Sequence, residues 1–356
     1  GVRGQITYDY LKGLGFSQID VTGCPSLALN GPGLPLREKQ PLTPESKLCF
    51  TGSVSNPPDF KKFAVRCTER FPNTYFVPQF IDDLRLMYLG IPHPDTADSR
   101  VLHPTNLDHP VFVEDKARFF INLPSMFAFN REMDFNYGTR IHGAIGNILC
   151  GVPSLLFPTD ARIRELAEYH NIPAIPASAV TPDTDLAVLY DQTDFRQVNN
   201  GHAERFWHLI DFLNENGIKT IYDDRTGTPA RSLYDEKTAA TSYAQPVHSM
   251  LVRPPEEIAR RVDTAVRLQR KEIEDDSRLA TQLRDSQRKV TQLQERNKKQ
   301  DAQIQALKEE RKALKAELKA TKKPLRRLAW YQRTSTFGIG LARLKKKLRR
   351  LLGKEK

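Results

Sequence analysis

Between Leu48 and Ile175 the chain alternates short apolar runs with stretches of helical periodicity, and this alternation restricts the fold more than any other feature. The runs that read as strands are Leu48–Thr51, Thr74–Val77, the short segment Asp134–Tyr137, Pro153–Phe157 and Ile172–Ile175. The helices expected between and after them are Pro58–Arg70, Ile81–Tyr88, Pro124–Glu132, His142–Cys150 and Ala161–His170. Strands that are apolar along their whole length need cover on both faces, and helices alternating with them supply it. The expected class is α/β, with a Rossmann-type parallel sheet. A last amphipathic helix over residues 203–217 places Phe206, Leu209, Ile210 and Leu213 at helical spacing and closes this body near residue 222.

Upstream, GVRGQITYDYLKGLGFSQIDVTGCPSL predicts a helix to Leu14, stopped by Gly15, then a strand at Ile19–Thr22 and a Pro/Gly-rich connector from Asn30 to Pro44. One helix and one strand are too little for a domain, so residues 1–30 read as the end of an α/β domain whose earlier part lies outside this sequence. The remaining boundaries are expected at 31–222 for a second α/β domain, 223–255 for a linker, 256–323 for a coiled coil and 324–356 for a basic tail.

The formal charge of +11 is unevenly placed. Residues 324–356 hold eleven Lys and Arg against Glu355, a net of +10, which leaves +1 for everything before them. The body is therefore nearly neutral, which argues against nucleic acid as its partner, while the tail can meet an anionic surface. Cys24, Cys49, Cys67 and Cys150 have neither metal-ligand spacing nor the density of a disulfide scaffold, and each lies in or beside an apolar run. They read as buried free thiols of a cytoplasmic protein.

The run YGTRIHG (Tyr137–Gly143) carries the chemistry. It is expected at a strand-to-helix turn, and in an open parallel sheet ligands bind at the carboxyl ends of strands. There the first N–H groups of the next helix favour an anion. Gly138 and Gly143 let the backbone approach closely, Arg140 offers a charged planar fork, and His142 can exchange a proton near neutral pH. Either side chain alone would read as a cap or a surface contact. Together they form an anion cradle beside an acid–base group. Asp160 and Arg162 begin the next helix, where Asp160 reads as its N-cap, and Gly52–Ser53 after the first strand reads as a turn or a ligand contact.

The segment GTRIHG followed by GVPSLLFPTDARIRELAEYHNIP resembles the polysaccharide pyruvyl transferase family, with its Arg-apolar-His tripeptide, apolar helix, Gly-x-Pro and strand. The opening VRG, YLKGLG and VTGCPSL are similar to the segment that ends the family's N-terminal domain. The resemblance covers roughly residues 1–30 and 47–178. It implies a GT-B-like fold of two facing Rossmann-like domains, the first largely missing from this sequence. It further implies transfer of pyruvate from phosphoenolpyruvate to two sugar hydroxyls as a ketal, in cell-surface glycan biosynthesis. Arg3 and Arg140 would hold the donor's phosphate and carboxylate, with Gly138, Thr139 and the main chain of Ile141 alongside, and His142 would be the acid. Phosphoenolpyruvate is then a co-substrate, with neither cofactor nor obligatory metal. Two other readings stay open: a nucleotide-sugar glycosyltransferase using Glu165 for the ribose, and a non-catalytic scaffold.

From Leu279 a heptad register holds for six repeats, with Leu283, Val290, Asn297, Ile304, Arg311 and Leu318 at a and Leu279, Ser286, Leu293, Gln300, Leu307, Leu314 and Thr321 at d. It predicts a homodimeric coiled coil, which Glu256–Gln269 could extend upstream and Pro324 should stop. The final GLARLKKKLRRLLGK sets Leu341, Leu344, Leu348, Leu351 and Leu352 on one face and Lys345, Lys346, Lys347, Arg349 and Arg350 mostly on the other. Such a basic amphipathic helix suits the inner face of a membrane, near a lipid-linked glycan, better than nucleic acid.

Overall fold

The computed structural model describes residues 1–53, 55–93, 104–222, 225, 233–334 and 336–351. The chain divides into two compact units, Gly1–Gln269 and Arg270–Lys356.

In the first unit, helix α1 (Gln5–Gly13) and a 3-10 turn (Pro25–Asn30) precede strand β1 (Leu48–Thr51). Then follow α2 (Pro58–Arg70), β2 (Thr74–Phe76), α3 (Ile81–Leu89), α4 (Pro110–Val113), α5 (Leu123–Asn130), β3 (Phe135–Gly138), α6 (Ile141–Leu149), β4 (Ser154–Leu156) and α7 (Ala161–Tyr169). Helices α8 (Leu186–Gln192), α9 (His202–Glu215) and α10 (Leu233–Thr238) come next. The four strands form one parallel sheet in the order β2-β1-β3-β4.

Alternation along each strand divides the core. Leu48, Phe50, Phe135, Tyr137 and Leu155 join Phe60 and Phe63 of α2 in an aromatic-rich cluster on one face. On the other face Leu156 packs with Ile141, Ile145 and Ile148 of α6 and Leu166 of α7, while Cys49 joins Met133 and Val152. Both faces are apolar and covered, as a parallel sheet requires.

Two expected strands are single parallel bridges, Val2 to Val21 and Leu156 to Ala174. At the first, the Val21 N–H is taken by the Asp20 carboxylate at 2.8 Å. At the second, Pro173 has no N–H to donate, so the ladder cannot lengthen. Residues 1–30, expected to end a separate domain, pack against α6 and α7 of this same unit.

The compact body also extends beyond residue 222. Val247 exchanges backbone hydrogen bonds with Phe119, His248 Nδ1 lies 2.9 Å from Asp115, and the Arg261 guanidinium stacks 4.0 Å over the Tyr88 ring. Part of the expected linker is therefore packed structure.

Helix α11 runs from Pro255 to Thr334 and includes Glu256–Gln269. Pro324 does not end it, against expectation: proline removes one hydrogen bond and crowds one carbonyl, a local cost of ~3 kcal/mol that a long helix absorbs. Beyond residue 270, Leu279, Leu283, Val290, Leu293, Ile304, Leu307, Leu314 and Leu318 are all exposed. Helix α12 (Thr336–Leu351) follows, with Leu341, Leu344 and Leu348 exposed; Leu352 lies outside the described residues. No helix among the described residues is long and apolar enough to cross a membrane.

Candidate active site

Because all four strands run in one direction, the segments that leave them meet at one edge of the sheet. These are Thr51–Ser53 after β1, Phe80–Asp83 after β2, Gly138–His142 after β3 and Asp160–Arg162 after β4.

The turn after β3 is built around Thr51. Its carbonyl accepts from the N–H groups of Thr139 (2.9 Å) and Arg140 (3.2 Å). A Cβ on Gly138 would stand 2.3 Å from that carbonyl oxygen, and one on Gly143 would stand 2.6 Å from the Thr51 side chain. Both glycines therefore make room for β1. Thr139 is buried, and its hydroxyl donates to Asn56 at 2.8 Å. Gly138 and Thr139 thus hold the turn, and the same hydrogen bonds fix the direction in which residues 140–142 leave it. Gly52–Ser53 belongs to the neighbouring turn: the Ser53 hydroxyl lies 2.9 Å from that of Ser55, and its carbonyl accepts from Asn56 N–H.

Arg140 is the N-cap residue of α6, and its side chain does not cap the helix. The guanidinium lies 4.1 Å over the Phe80 ring, a cation–π contact that orients it. Burial lowers its pKa and the nearby positive charge of Arg162 lowers it further, while Asp83 and Asp160 oppose both. Two arginines and two carboxylates thus share this edge. Asp83 is buried at the start of α3. Burial raises its carboxyl to about 6 against the Phe80 N–H bond, His93 and Arg140, all of which lower it; Asp82 adds to the rise. Asp160 caps α7, accepting from Ile163 N–H at 2.8 Å, as its place in the sequence implied.

Helix α6 is buried at every residue except His142. Ile141 packs into the core and contributes main chain only to the surface. With no capping side chain, the first-turn N–H groups of α6 are left for water or an anion. His142 Nε2 lies 3.8 Å from Cys24 Sγ. Beside it opens a cavity of about 630 Å³ lined largely by apolar side chains, including Phe120, Met126, Ile145, Phe206 and Tyr222.

Arg3 is exposed just before α1. It directly follows Val2, whose bridge partner Val21 leads within three residues to Cys24, so it leaves its bridge toward the same end as His142. No hydrogen bond or ion pair ties it to Arg140 among the described residues. Glu165 is buried and its two oxygens accept from Thr7: from the N–H at 2.9 Å and from the hydroxyl at 2.7 Å. Its carboxylate anchors the N-terminus of α1, which removes it as the ribose ligand of a nucleotide sugar.

Sequence reasoning did not single out Phe80, Asp83 or Cys24. Cys24 sits in the VTGCPSL run, but only the fold brings it to His142. Among the described residues no three His, Cys, Asp or Glu side chains converge as metal ligands.

Among the solved structures to which the chain is similar is one described as the glycotransferase of kitacinnamycin, at 20% identity with a TM-score of 0.27. The similarity covers 51% of this chain and 42% of that one, so this chain spans less than half of that protein's length. No curated protein matches. The family model for polysaccharide pyruvyl transferase matches residues 1–160, a stretch holding all four strands and the Arg140–His142 turn. Over that stretch the chain is similar to the polysaccharide pyruvyl transferase family.

Proposed function

We propose that this protein transfers pyruvate from phosphoenolpyruvate to two hydroxyls of a sugar, forming a cyclic ketal in the assembly of a cell-surface glycan. The observation that carries the reading is His142, the one exposed residue of a buried helix, beside Arg140 at that helix's uncapped start. Arg140 and the α6 N-terminus bind the donor's phosphate and carboxylate, with Ile141 contributing main chain. Arg162, near Arg140, and Arg3 add positive charge. Gly138 and Thr139 act on the donor through the turn they hold.

His142 gives its proton to C3 of phosphoenolpyruvate, turning the methylene into a methyl and leaving C2 with oxocarbenium character. One sugar hydroxyl attacks C2, the C2–O bond to phosphate breaks, and the second hydroxyl closes the ketal. Of the two hydroxyl protons, one restores His142 and one leaves with phosphate. The step needs an acid, anion clamps and an oriented diol; it draws on no redox cofactor and no obligatory metal. General acid catalysis contributes ~10²–10⁴ in rate, the loss expected for His142→Ala.

The GT-B-like pairing with a second domain, the sugar or lipid-linked acceptor, dimerisation through α11, and attachment of α12 to the inner face of a membrane belong to the same proposal. Thermal shift of the full chain with phosphoenolpyruvate and UDP in separate wells tests it. Stabilisation by phosphoenolpyruvate alone, lost in Arg140→Ala, is the expected result. Stabilisation by UDP alone would replace this reading with nucleotide-sugar transfer despite the engagement of Glu165, and no shift with either would favour a scaffold.

A further inference from the structure

Cys24 is held on both sides by histidines. Its N–H donates to His170 Nε2 at 2.8 Å, behind it at the end of α7, and its sulfur faces His142 Nε2 in front. Gly23, at φ +69°, allows this fit: a Cβ there would stand 2.4 Å from both the His170 and Tyr169 rings. His170 is buried, and burial with the nearby charges of Arg205 and His202 lowers its pKa to about 3, so it stays neutral and accepting. The backbone of Cys24 is therefore fixed, and its sulfur is aimed at the exposed imidazole. Among the described residues no other polar side chain comes within hydrogen-bonding distance of His142 Nε2.

A positive imidazolium in the first turn of α6 meets the positive end of the helix macrodipole, whereas a thiolate is favoured there. The two charges together suit that position better than the imidazolium alone. Burial pushes the Cys24 thiol up, but hydrogen bonds from His142 and Ser26 and the charge of His142 outweigh it and leave the thiol at about 7. The titratable and charged groups around the pair are His170 behind the sulfur and Arg140 at the head of α6, and Ser26 in the turn of Cys24 adds hydrogen bonds only.

We propose that Cys24 is a positioning residue for this site, its sulfur holding His142 by Nε2 and carrying the counter-charge of its protonated ring, so that the proton donor is a cysteine–histidine unit. Nδ1 is then the nitrogen left to meet the substrate. The assignment of that proton to phosphoenolpyruvate rests on the proposed function; the pair itself does not.

Thiolate absorbance near 240 nm, titrated on the full-length chain, reads the pair without any turnover. Burial drives Cys49 up to about 12 and also raises Cys67 and Cys150, so Cys24 is the thiol that titrates near neutrality. The expected result is one thiolate with a midpoint near 7, absent in Cys24→Ser. In His142→Gln it moves up by at least about one pH unit, a tenfold loss of thiolate at neutral pH. His142 is exposed, so that variant should keep its fold, which far-UV circular dichroism checks; His142→Asn repeats the test. A wild-type protein with no thiolate below about pH 8.5, or a midpoint unmoved by both His142 variants, overturns the proposal. Where phosphoenolpyruvate turnover is measurable, Cys24→Ser should also move the alkaline limb of kcat/KM to lower pH. A uniform loss at every pH would mark Cys24 as structural and overturn its positioning role. Failure of pyruvyl transfer itself would leave the thiolate titration unchanged, so the two readings fail separately.

Discussion

Helix α1 has no buried residue, so apolar packing does little to hold it on the body. What holds its start is Glu165, whose carboxylate accepts from the Thr7 N–H and hydroxyl, with Gly4 packed directly over the Glu165 side chain. Glu165→Ala removes a charged acceptor from two donors. Hydrogen bonds to charged groups contribute ~1.5–3 kcal/mol each, and an anion at a helix N-terminus adds ~0.3–1 kcal/mol. Water can reach Thr7 once the helix lifts, which recovers part of this, and a net loss of about 2–4 kcal/mol follows. Because so little surface anchors α1, the loss should appear as local opening rather than global unfolding. Hydrogen exchange followed by mass spectrometry should show protection of Gln5–Gly13 falling on the order of 10²-fold, with the β1 and β3 peptides unchanged. Glu165→Gln keeps an acceptor and should lose roughly half as much free energy. Unchanged exchange across α1 in Glu165→Ala would refute the argument, as would equal loosening of the whole sheet.

The low pKa of His170 means that protonating it opposes folding. Stability is complete above about 6.5 and should fall by up to ~1.4 kcal/mol per pH unit between 6.5 and 3. A series of denaturant melts should show this acid limb, and His170→Gln, which can still accept from Cys24 N–H, should flatten it. The apolar seam of α11 predicts a dimer by multi-angle light scattering, and Leu293→Glu with Leu307→Glu should give a monomer while the α/β body keeps its melting temperature. For α12, anionic lipid contributes ~1 kcal/mol per basic residue, so replacing Lys345, Lys346 and Lys347 by Ala should weaken co-sedimentation with anionic vesicles on the order of 10²-fold at low salt. Equal binding by wild type and triple variant would remove the membrane from the account.

The central strands and their helices could be read from sequence because each carries its own periodicity. Pro58–Arg70 occurs with the expected ends, and Leu48–Thr51 is a strand buried along its whole length. What failed were features decided by single backbone groups. Ala174 makes a bridge rather than a strand because the Pro173 nitrogen interrupts the ladder, and Val21 pairs with Val2 alone. Pro324 lies within a helix because one missing hydrogen bond is small against the length of α11.

The candidate site divides in the same way. Sequence by itself determined that Arg140 and His142 sit at a strand-to-helix turn, since the glycines and the change of period lie next to each other along the chain. Only the tertiary structure decided what surrounds them. Phe80 under Arg140, Asp83 and Arg162 nearby, and Cys24 against His142 come from four separate segments. Phe80, Asp83, Arg140 and Arg162 meet because parallel strands deliver all their carboxyl ends to one edge of the sheet, and Cys24 arrives there from the segment after the Val2–Val21 bridge. The fold also decided that Glu165 is an anchor, because a carboxylate's role depends on which donors it meets, and Thr7 lies 158 residues away along the chain. Periodicity and turn chemistry act between neighbours in sequence and are written there; charge, burial and hydrogen-bond partners act through space and exist only once the chain has folded.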